Sequence, residues 1–148
     1  MILLPSPEAT LALGARLGAM LQIGDVVALN GPLGAGKTHF ARGIMTGLGF
    51  AGEVPSPSYP IVIPYAPPAT RIPIAHVDLY RVDDPAALEE LALDEARSDG
   101  AIVIEWPDRM GSRAWLDMLV LTLAVHDDGP RALTAQVPPA WEPRWPPK

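Results

Sequence analysis

The sequence predicts an α/β fold, a three-layer sandwich around a mixed, mainly parallel sheet with an antiparallel C-terminal portion. An apolar run from Val26 to Asn30 leads through a glycine-rich segment into a helical pattern that begins at Lys37. Strands that alternate with helices in this way are typical of parallel sheets. Two later apolar runs, Ile72 to Asp78 and Ala101 to Glu105, have strand length and end in an acid. Near the C-terminus, strand-like segments from Met118 to Val125 and from Ala132 to Val137 flank a turn.

The N-terminal half supplies the first elements. Ile2 to Leu4 predicts a short strand, and Ser6 followed by Pro7 is a cap and first-turn signal. The apolar spacing that follows predicts a helix to about Leu21, and a second helix is expected from Lys37 to about Leu48.

The middle and the end of the chain are richer in proline. Gly52 to Pro60 is expected to be a loop, because its prolines forbid a helix and interrupt a strand ladder. Ile61 to Pro64 predicts a strand, and Asp84 caps a helix that starts at Pro85. We expect one domain over residues 1–137 and a poorly ordered proline-rich tail over 138–148, which docks through Trp141 or Trp145.

Composition limits the class of function. The chain has 148 residues, 49% of them apolar and 19% charged, which indicates a soluble globular protein with a real core. It has no cysteine, which excludes disulfides and thiolate metal sites. No apolar run is long enough to span a bilayer and no secretory signal is visible, so a cytoplasmic location is expected. The formal net charge of −6, with arginines scattered singly, argues against direct nucleic-acid binding.

The segment GPLGAGKT, from Gly31 to Thr38, matches the phosphate-loop pattern Gly-x-x-x-x-Gly-Lys-Thr. Small residues let backbone N–H groups face a phosphate at the positive end of the following helix. In such loops the lysine, here Lys37, bridges the β- and γ-phosphates and the hydroxyl of Thr38 ligates Mg²⁺. Lys37 is also the only lysine besides the terminal Lys148, although the chain has nine arginines. The fold expected is therefore like that of P-loop NTPases.

Asp78 and Glu105 are the candidate acids, because each closes an apolar strand and would emerge at the sheet edge where the phosphates lie. They either hold Mg²⁺ and orient water or are ordinary strand-end carboxylates. Ser56, Ser58 and Tyr59 lie about 20 residues beyond the loop, where many such proteins keep a γ-phosphate-sensing segment, and a plain proline-rich turn is the alternative.

Two histidines are near these motifs in the sequence. His39 is expected on the helix surface, pointing away from the phosphates. His76, two residues before Asp78 on the same strand face, either hydrogen-bonds near the site or packs in the core.

Several segments taken together resemble the TsaE (formerly YjeE) family. They are GPLGAGKTHFARGI, VPSPSY, HVDLYRVDDPAALEELALDE and IVIEWPDRM, in the family's order and with similar spacing. The resemblance runs from Pro5 to about Arg131, and HVDLYR and IEWP are more specific than the phosphate loop. It implies a small ATPase that binds ATP and Mg²⁺, hydrolyses ATP slowly and is needed for threonylcarbamoyladenosine modification of tRNA. The implied partner is the TsaD–TsaB assembly, with tRNA met only indirectly and no membrane involved.

Position by position, the resemblance also implies roles for single residues. It implies a nucleotide site formed by Leu33, Gly34, Ala35, Gly36, Lys37 and Thr38, with Arg131 and Thr10 as further contacts. Thr38 and Glu105 match the Mg²⁺ positions, Asp78 the second acid, and Trp106 the aromatic beside it. Lys37, Asp78 and Glu105 are then the catalytic residues, and residues 56–59 match a switch-like loop.

The chain departs from the family pattern at Pro32, where Asp is frequent, at His39, where a second Thr is frequent, and at Ser58, where Thr is usual. None of these changes affects the residues expected to carry the chemistry, which are Lys37, Thr38, Asp78 and Glu105. The residues themselves leave two other classes of function open. One is a small-molecule kinase, for which no cluster of lid arginines is visible in the sequence, and the other is a nucleotide-binding module without catalysis.

Overall fold

A seven-stranded mixed sheet forms the centre of the fold in the computed structural model, which describes residues 1–57, 61–125 and 129–147. The strands in chain order are β1 (Ile2–Leu4), β2 (Val26–Asn30), β3 (Val62–Tyr65), β4 (Ile74–Asp78), β5 (Ala101–Glu105), β6 (Leu119–Val125) and β7 (Arg131–Gln136). Across the sheet their order is β1-β7-β6-β2-β5-β4-β3. The central strands β6, β2, β5 and β4 run parallel, and the pairs at both edges are antiparallel. The predicted α/β class and the antiparallel C-terminal portion are confirmed.

Two helices, α1 (Pro7–Met20) and α2 (Lys37–Gly47), cover one face of the sheet. Helix α1 begins where predicted, because the Ser6 hydroxyl accepts a hydrogen bond from the Ala9 N–H at 3.1 Å and Pro7 fits the first turn. Helix α2 starts directly after β2 and the glycine-rich loop. Residues at helical spacing on both helices are buried against alternate residues of the central strands, which forms the larger core.

The two helices approach each other through glycines. A Cβ added at Gly18 of α1 would lie 2.1 Å from the Ile44 carbonyl oxygen, and one added at Gly47 of α2 would lie 2.1 Å from the Ala15 carbonyl oxygen. Both contacts are with backbone, which cannot rotate away as a side chain can. Glycine is therefore required at these two positions by the closeness of the helices.

Shorter helices cover the other face: 3₁₀ helices at Pro85–Leu91 and Pro107–Arg113, the latter interrupted by a kink at Gly111, and α3 (Leu93–Asp99). Asp84 caps the first of these as predicted, its carboxylate accepting from the Ala86 N–H at 3.0 Å. The helix expected from Pro85 is present as a 3₁₀ helix that ends at Leu91, and it is separate from α3 because Ala92 between them adopts a left-handed conformation with φ of 53°. With this break, both Leu88 and Leu93 are buried in the second core.

The tail beyond Val137 packs on the domain, which corrects the expectation that it is poorly ordered. Pro139–Trp141 form a short 3₁₀ helix, and the Trp141 side chain is only 1% exposed within the larger core. The Arg144 guanidinium stacks 3.9 Å from the centroid of that indole and forms two hydrogen bonds to the Asp25 carboxylate, at 2.7 and 2.8 Å. The expected docking through tryptophan is thus observed, while the division of the chain at residue 137 stays a prediction.

In the described part of the chain, no helix has both the length and the apolar character needed to cross a bilayer.

Candidate functional site

The loop between β2 and α2 has a backbone conformation that depends on its glycines. Gly31, Gly34 and Gly36 have φ of 142°, 79° and 103°, values that L side chains rarely adopt. A Cβ at Gly31 would also lie 2.4 Å from the Leu123 carbonyl oxygen of β6. Because the loop ends at the first turn of α2, the unpaired N–H groups of that turn and the positive end of the helix dipole are available to an anion.

Lys37 is held at the base of this loop. Its side chain is 5% exposed, and its ammonium donates hydrogen bonds to the carbonyl oxygens of Gly31 and, at 3.1 Å, of Pro32. The ammonium also lies 3.9 Å from the centroid of the Trp106 ring, a cation–π contact. Burial lowers the pKa of Lys37, while the nearby carboxylates of Glu105 and Asp78 act in the opposite direction.

The two candidate acids meet at one edge of the sheet, as the sequence predicts. Strands β4 and β5 are parallel and their register sets Asp78 beside Glu105. Glu105 is 2% exposed; its Oε1 accepts from the Thr38 hydroxyl at 2.8 Å, and its Oε2 lies 2.6 Å from Nε2 of His76. Asp78 is 6% exposed and its Oδ1 accepts from the Tyr80 N–H at 2.9 Å.

These groups line one cleft of about 430 Å³. The predicted residues that it brings together are Leu33, Gly34, Gly36, Lys37, Thr38, Ser56, Asp78, Glu105 and Trp106. Ala35 does not line it, because its side chain is fully buried beneath the loop. Ser58 and Tyr59, predicted as part of the switch-like segment, lie outside the described residues.

A second cavity of about 360 Å³ adjoins the first, and the two share Gly36 and His39. Thr10 and Arg131, which the resemblance implied as further nucleotide contacts, both line it. Nη2 of Arg131 donates to the Gly34 carbonyl oxygen at 3.3 Å, which ties β7 to the phosphate loop. The Thr10 hydroxyl is directed to the Ser6 carbonyl oxygen at 3.4 Å, within the first turn of α1.

Two residues near the cleft differ from the sequence-based expectation. His39, expected to point away, lines both cavities, and its ring Nε2 lies 3.1 Å from the Pro7 carbonyl oxygen of α1. Arg42, which belongs to none of the sequence motifs, lines the cleft, and its Nε donates to the Val54 carbonyl oxygen at 2.9 Å. Its position four residues after Thr38, on the same helix face, is the signal that would have found it.

The donor set suits Mg²⁺ that arrives with a phosphate ligand. Among the described residues, no group of three or more histidine and carboxylate side chains is arranged to hold a metal ion. The Thr38 hydroxyl and a Glu105 oxygen, 2.8 Å apart, are instead adjacent hard oxygen donors facing one cleft. Mg²⁺ is typically held by one or two such groups together with water and substrate phosphates.

Comparison with known proteins gives a consistent result. A family model described as threonylcarbamoyl adenosine biosynthesis protein TsaE matches residues 4–133. The tRNA threonylcarbamoyladenosine biosynthesis protein TsaE of Mycobacterium tuberculosis is 40% identical over 117 residues, which cover 74% of this chain and 70% of the relative. The protein of that name from Treponema pallidum is 35% identical over 133 residues, covering 87% of this chain and 94% of the relative.

A solved structure agrees with these sequence matches. The crystal structure of Bacillus subtilis YdiB superposes with a TM-score of 0.76 at 29% identity, covering 93% of this chain and 84% of that one. The TsaE protein of the same species is 34% identical over 130 residues, covering 87% of this chain and 80% of the relative. The chain belongs to the TsaE family of threonylcarbamoyl adenosine biosynthesis proteins.

Proposed function

We propose that this protein binds ATP with Mg²⁺ and hydrolyses it slowly, acting on a TsaD–TsaB assembly that carries out threonylcarbamoyladenosine modification of tRNA. The observation that carries the proposal is the meeting of Lys37, Thr38 and Glu105 in one cleft at the end of a glycine loop. A phosphate-binding loop with a hydroxyl and a carboxylate beside it is the arrangement that phosphoryl transfer from a nucleotide requires.

Each residue has a role that follows from its position. The loop N–H groups and the Lys37 ammonium bind the phosphates, and Lys37 supplies a point charge on the oxygens where negative charge develops. Bound Mg²⁺ would neutralise charge on the β- and γ-phosphates, with the Thr38 hydroxyl and Glu105 as its protein donors. Asp78, beside Glu105 in the strand register, would orient water at the same edge of the sheet.

We expect slow turnover by the protein alone. In the described part of the chain, Arg42 is the arginine that lines the cleft, and its Nε is already bonded to the Val54 carbonyl oxygen. An arginine that is supplied by a partner can raise phosphoryl-transfer rates about 10³–10⁵-fold. ATP turnover is therefore measured with and without the TsaD–TsaB assembly, and fast turnover that needs no partner contradicts the proposal.

Binding is tested separately from turnover. Lys37→Ala is expected to weaken ATP binding by about 100-fold in calorimetric titration, because a charge-assisted phosphate contact of about 3 kcal/mol is lost. The matched control is Arg16→Ala, which removes an exposed cation from α1 and leaves the affinity unchanged. Equal affinity of the Lys37→Ala variant and the wild type overturns the assignment of the phosphate loop.

Hydrolysis is tested through Glu105. Glu105→Ala is expected to keep nucleotide binding and lose most of the hydrolysis, and near-normal turnover would move the catalytic role to Asp78. The same assay separates an ATPase from a small-molecule kinase, because an ATPase releases one free phosphate for each ADP formed. ADP formed without free phosphate indicates transfer to an acceptor.

A further inference from the structure

His76 is a fully buried imidazole in the middle of β4, and the proposed chemistry makes no use of it. It is 0% exposed, its strand is paired with β3 on one side and β5 on the other, and Ile74 and Val103 near it are buried apolar residues. Its Nδ1 has no hydrogen-bond partner among the described residues. A polar atom buried without a partner costs free energy, so an apolar residue would be the less costly choice here.

The contact that offsets this cost is with Glu105. Nε2 of His76 lies 2.6 Å from Oε2 of Glu105, and both side chains are buried. An ionised carboxylate only accepts hydrogen bonds, so the ring must carry its proton on Nε2 and donate it. In the neutral ring Nδ1 is then an acceptor. We infer this tautomer from the partner, because it is the form that satisfies the carboxylate.

This contact leaves the Glu105 carboxylate with one orientation. Oε2 is occupied by His76, and Oε1 faces the Thr38 hydroxyl of the phosphate loop. We propose that His76 is a positioning residue, which holds the Glu105 carboxylate with Oε1 turned toward Thr38 and toward the metal that accompanies the nucleotide. The part of this inference that concerns the metal rests on the proposed function; the part that concerns the carboxylate does not.

The same geometry distinguishes the two acids. The Oε2 of Glu105 is held by a side chain from the neighbouring strand, His76. Glu105 is also the acid that contacts Thr38. We therefore assign the metal-facing role to Glu105 and the remaining water-orienting role to Asp78.

Three variants separate positioning from packing. His76→Leu fills the space without a donor, His76→Gln keeps a donor near the position of Nε2, and His76→Asn keeps an amide that is too short to reach Glu105. We expect the Leu and Asn variants to raise the Mg²⁺ concentration for half-maximal ATP turnover, or to lower kcat, by about 10–100-fold, the usual effect of removing a group that orients a metal ligand. The Gln variant is expected to stay within about 3-fold of the wild type. Equal values for the Leu variant and the wild type, or equal losses in the Gln and Asn variants, overturn the proposal.

A spectroscopic measurement tests the contact without ATP. The chain has 3 histidines, so long-range ¹H–¹⁵N spectra of the ring nitrogens are simple, and the signals lost in His76→Gln identify His76. The expected result is a proton on Nε2 whose resonance shifts strongly in Glu105→Gln. A proton on Nδ1 alone in the wild type, or an unchanged Nε2 resonance in a folded Glu105→Gln variant, refutes the positioning role. If the wild type neither binds nor hydrolyses ATP, the proposed function fails, and these spectra still decide the inference about His76.

Discussion

Replacing Gly18 by alanine tests whether the close packing of α1 on α2 is required. An added Cβ would lie 2.1 Å from the Ile44 carbonyl oxygen, 2.9 Å from its carbonyl carbon and 3.1 Å from its Cα. The first of these distances is more than 1 Å short of the 3.4 Å at which ordinary van der Waals contact begins. Because all three atoms are backbone, the methyl group is accommodated only if the helices separate.

The magnitude follows from two opposed effects. In an unconstrained helix, alanine is more favourable than glycine by about 1 kcal/mol. Overpacking of a tight interface costs about 1–3 kcal/mol and occasionally more, and a collision with backbone belongs at the upper end. We expect a net loss of about 2 kcal/mol in the free energy of unfolding, which lowers Tm by about 4–8 °C for a chain of this size.

Urea unfolding followed by circular dichroism measures this loss. The matched control is Ala12→Gly in the exposed face of the same helix, which is expected to cost about 1 kcal/mol through helix propensity alone. Gly18→Ala adds a methyl group and Ala12→Gly removes one, yet both substitutions should lower the free energy of unfolding. A Gly18→Ala protein that is as stable as the wild type, or more stable, refutes the argument that backbone contact fixes the helix spacing.

Three further predictions concern the tail, the end of α1 and a surface ion pair. Arg144→Ala removes two hydrogen bonds from the largely buried Asp25 carboxylate and should lower the free energy of unfolding in urea by about 1–3 kcal/mol. Arg144→Lys should recover only part of this loss, and an unchanged urea midpoint of Arg144→Ala contradicts the prediction. Arg71 donates from Nη2 to three carbonyl oxygens at the end of α1, at 3.0, 3.2 and 2.9 Å, and so caps that helix. Arg71→Ala should therefore speed amide hydrogen exchange selectively in the last turn of α1, and an equal change throughout the protein argues against this capping role. Arg97 holds the pKa of Asp117 below its usual range, and since Asp117 is 51% exposed the pair should contribute less than about 1 kcal/mol. That contribution is present at neutral pH and lost as pH falls through the lowered pKa, so the wild type and Asp117→Asn should converge in acid; a difference that persists there excludes the ion pair as its source.

The central strands and the two helices beside the phosphate loop could be predicted from the sequence because their signals are local. The predicted bounds of β2 and β5 agree with the structure, since a strand buried on both faces is a continuous apolar run. The helix expected from Pro85 is present as a 3₁₀ helix, but its separation from α3 could not be predicted, because Ala92 carries no sequence signal for its left-handed conformation. The tail was expected to be poorly ordered because its proline content resembles a linker. In the structure it packs through Trp141 and through the contact of Arg144 with Asp25, which is more than a hundred residues away in the chain, and no local pattern shows that contact.

In the candidate site, too, some residues could be predicted from local sequence signals and others could not. The phosphate loop is a contiguous motif, and the two acids could be found because each closes an apolar strand. The contacts of His76 and Arg42 could not be predicted, since they depend on strand register and on where a loop returns to α2. The sequence left open whether His76 packs or hydrogen-bonds near the site, and the pairing of β4 with β5 is what sets its ring against Glu105.

The site is therefore assembled from two parts of the fold that are fixed by different interactions. Lys37 and Thr38 belong to α2, which packs on the sheet and whose distance from α1 is set by glycine contacts, whereas Asp78 and Glu105 belong to the sheet. Between Thr38 and Glu105 the hydrogen bond is only 2.8 Å long, so a separation of α1 and α2 by about 1 Å would be enough to weaken it if α2 moved. His76 fixes the acid from the sheet side, and the glycine contacts fix the hydroxyl from the helix side. Neither of these two supports touches the phosphate loop, yet both determine how its hydroxyl and its acid face each other.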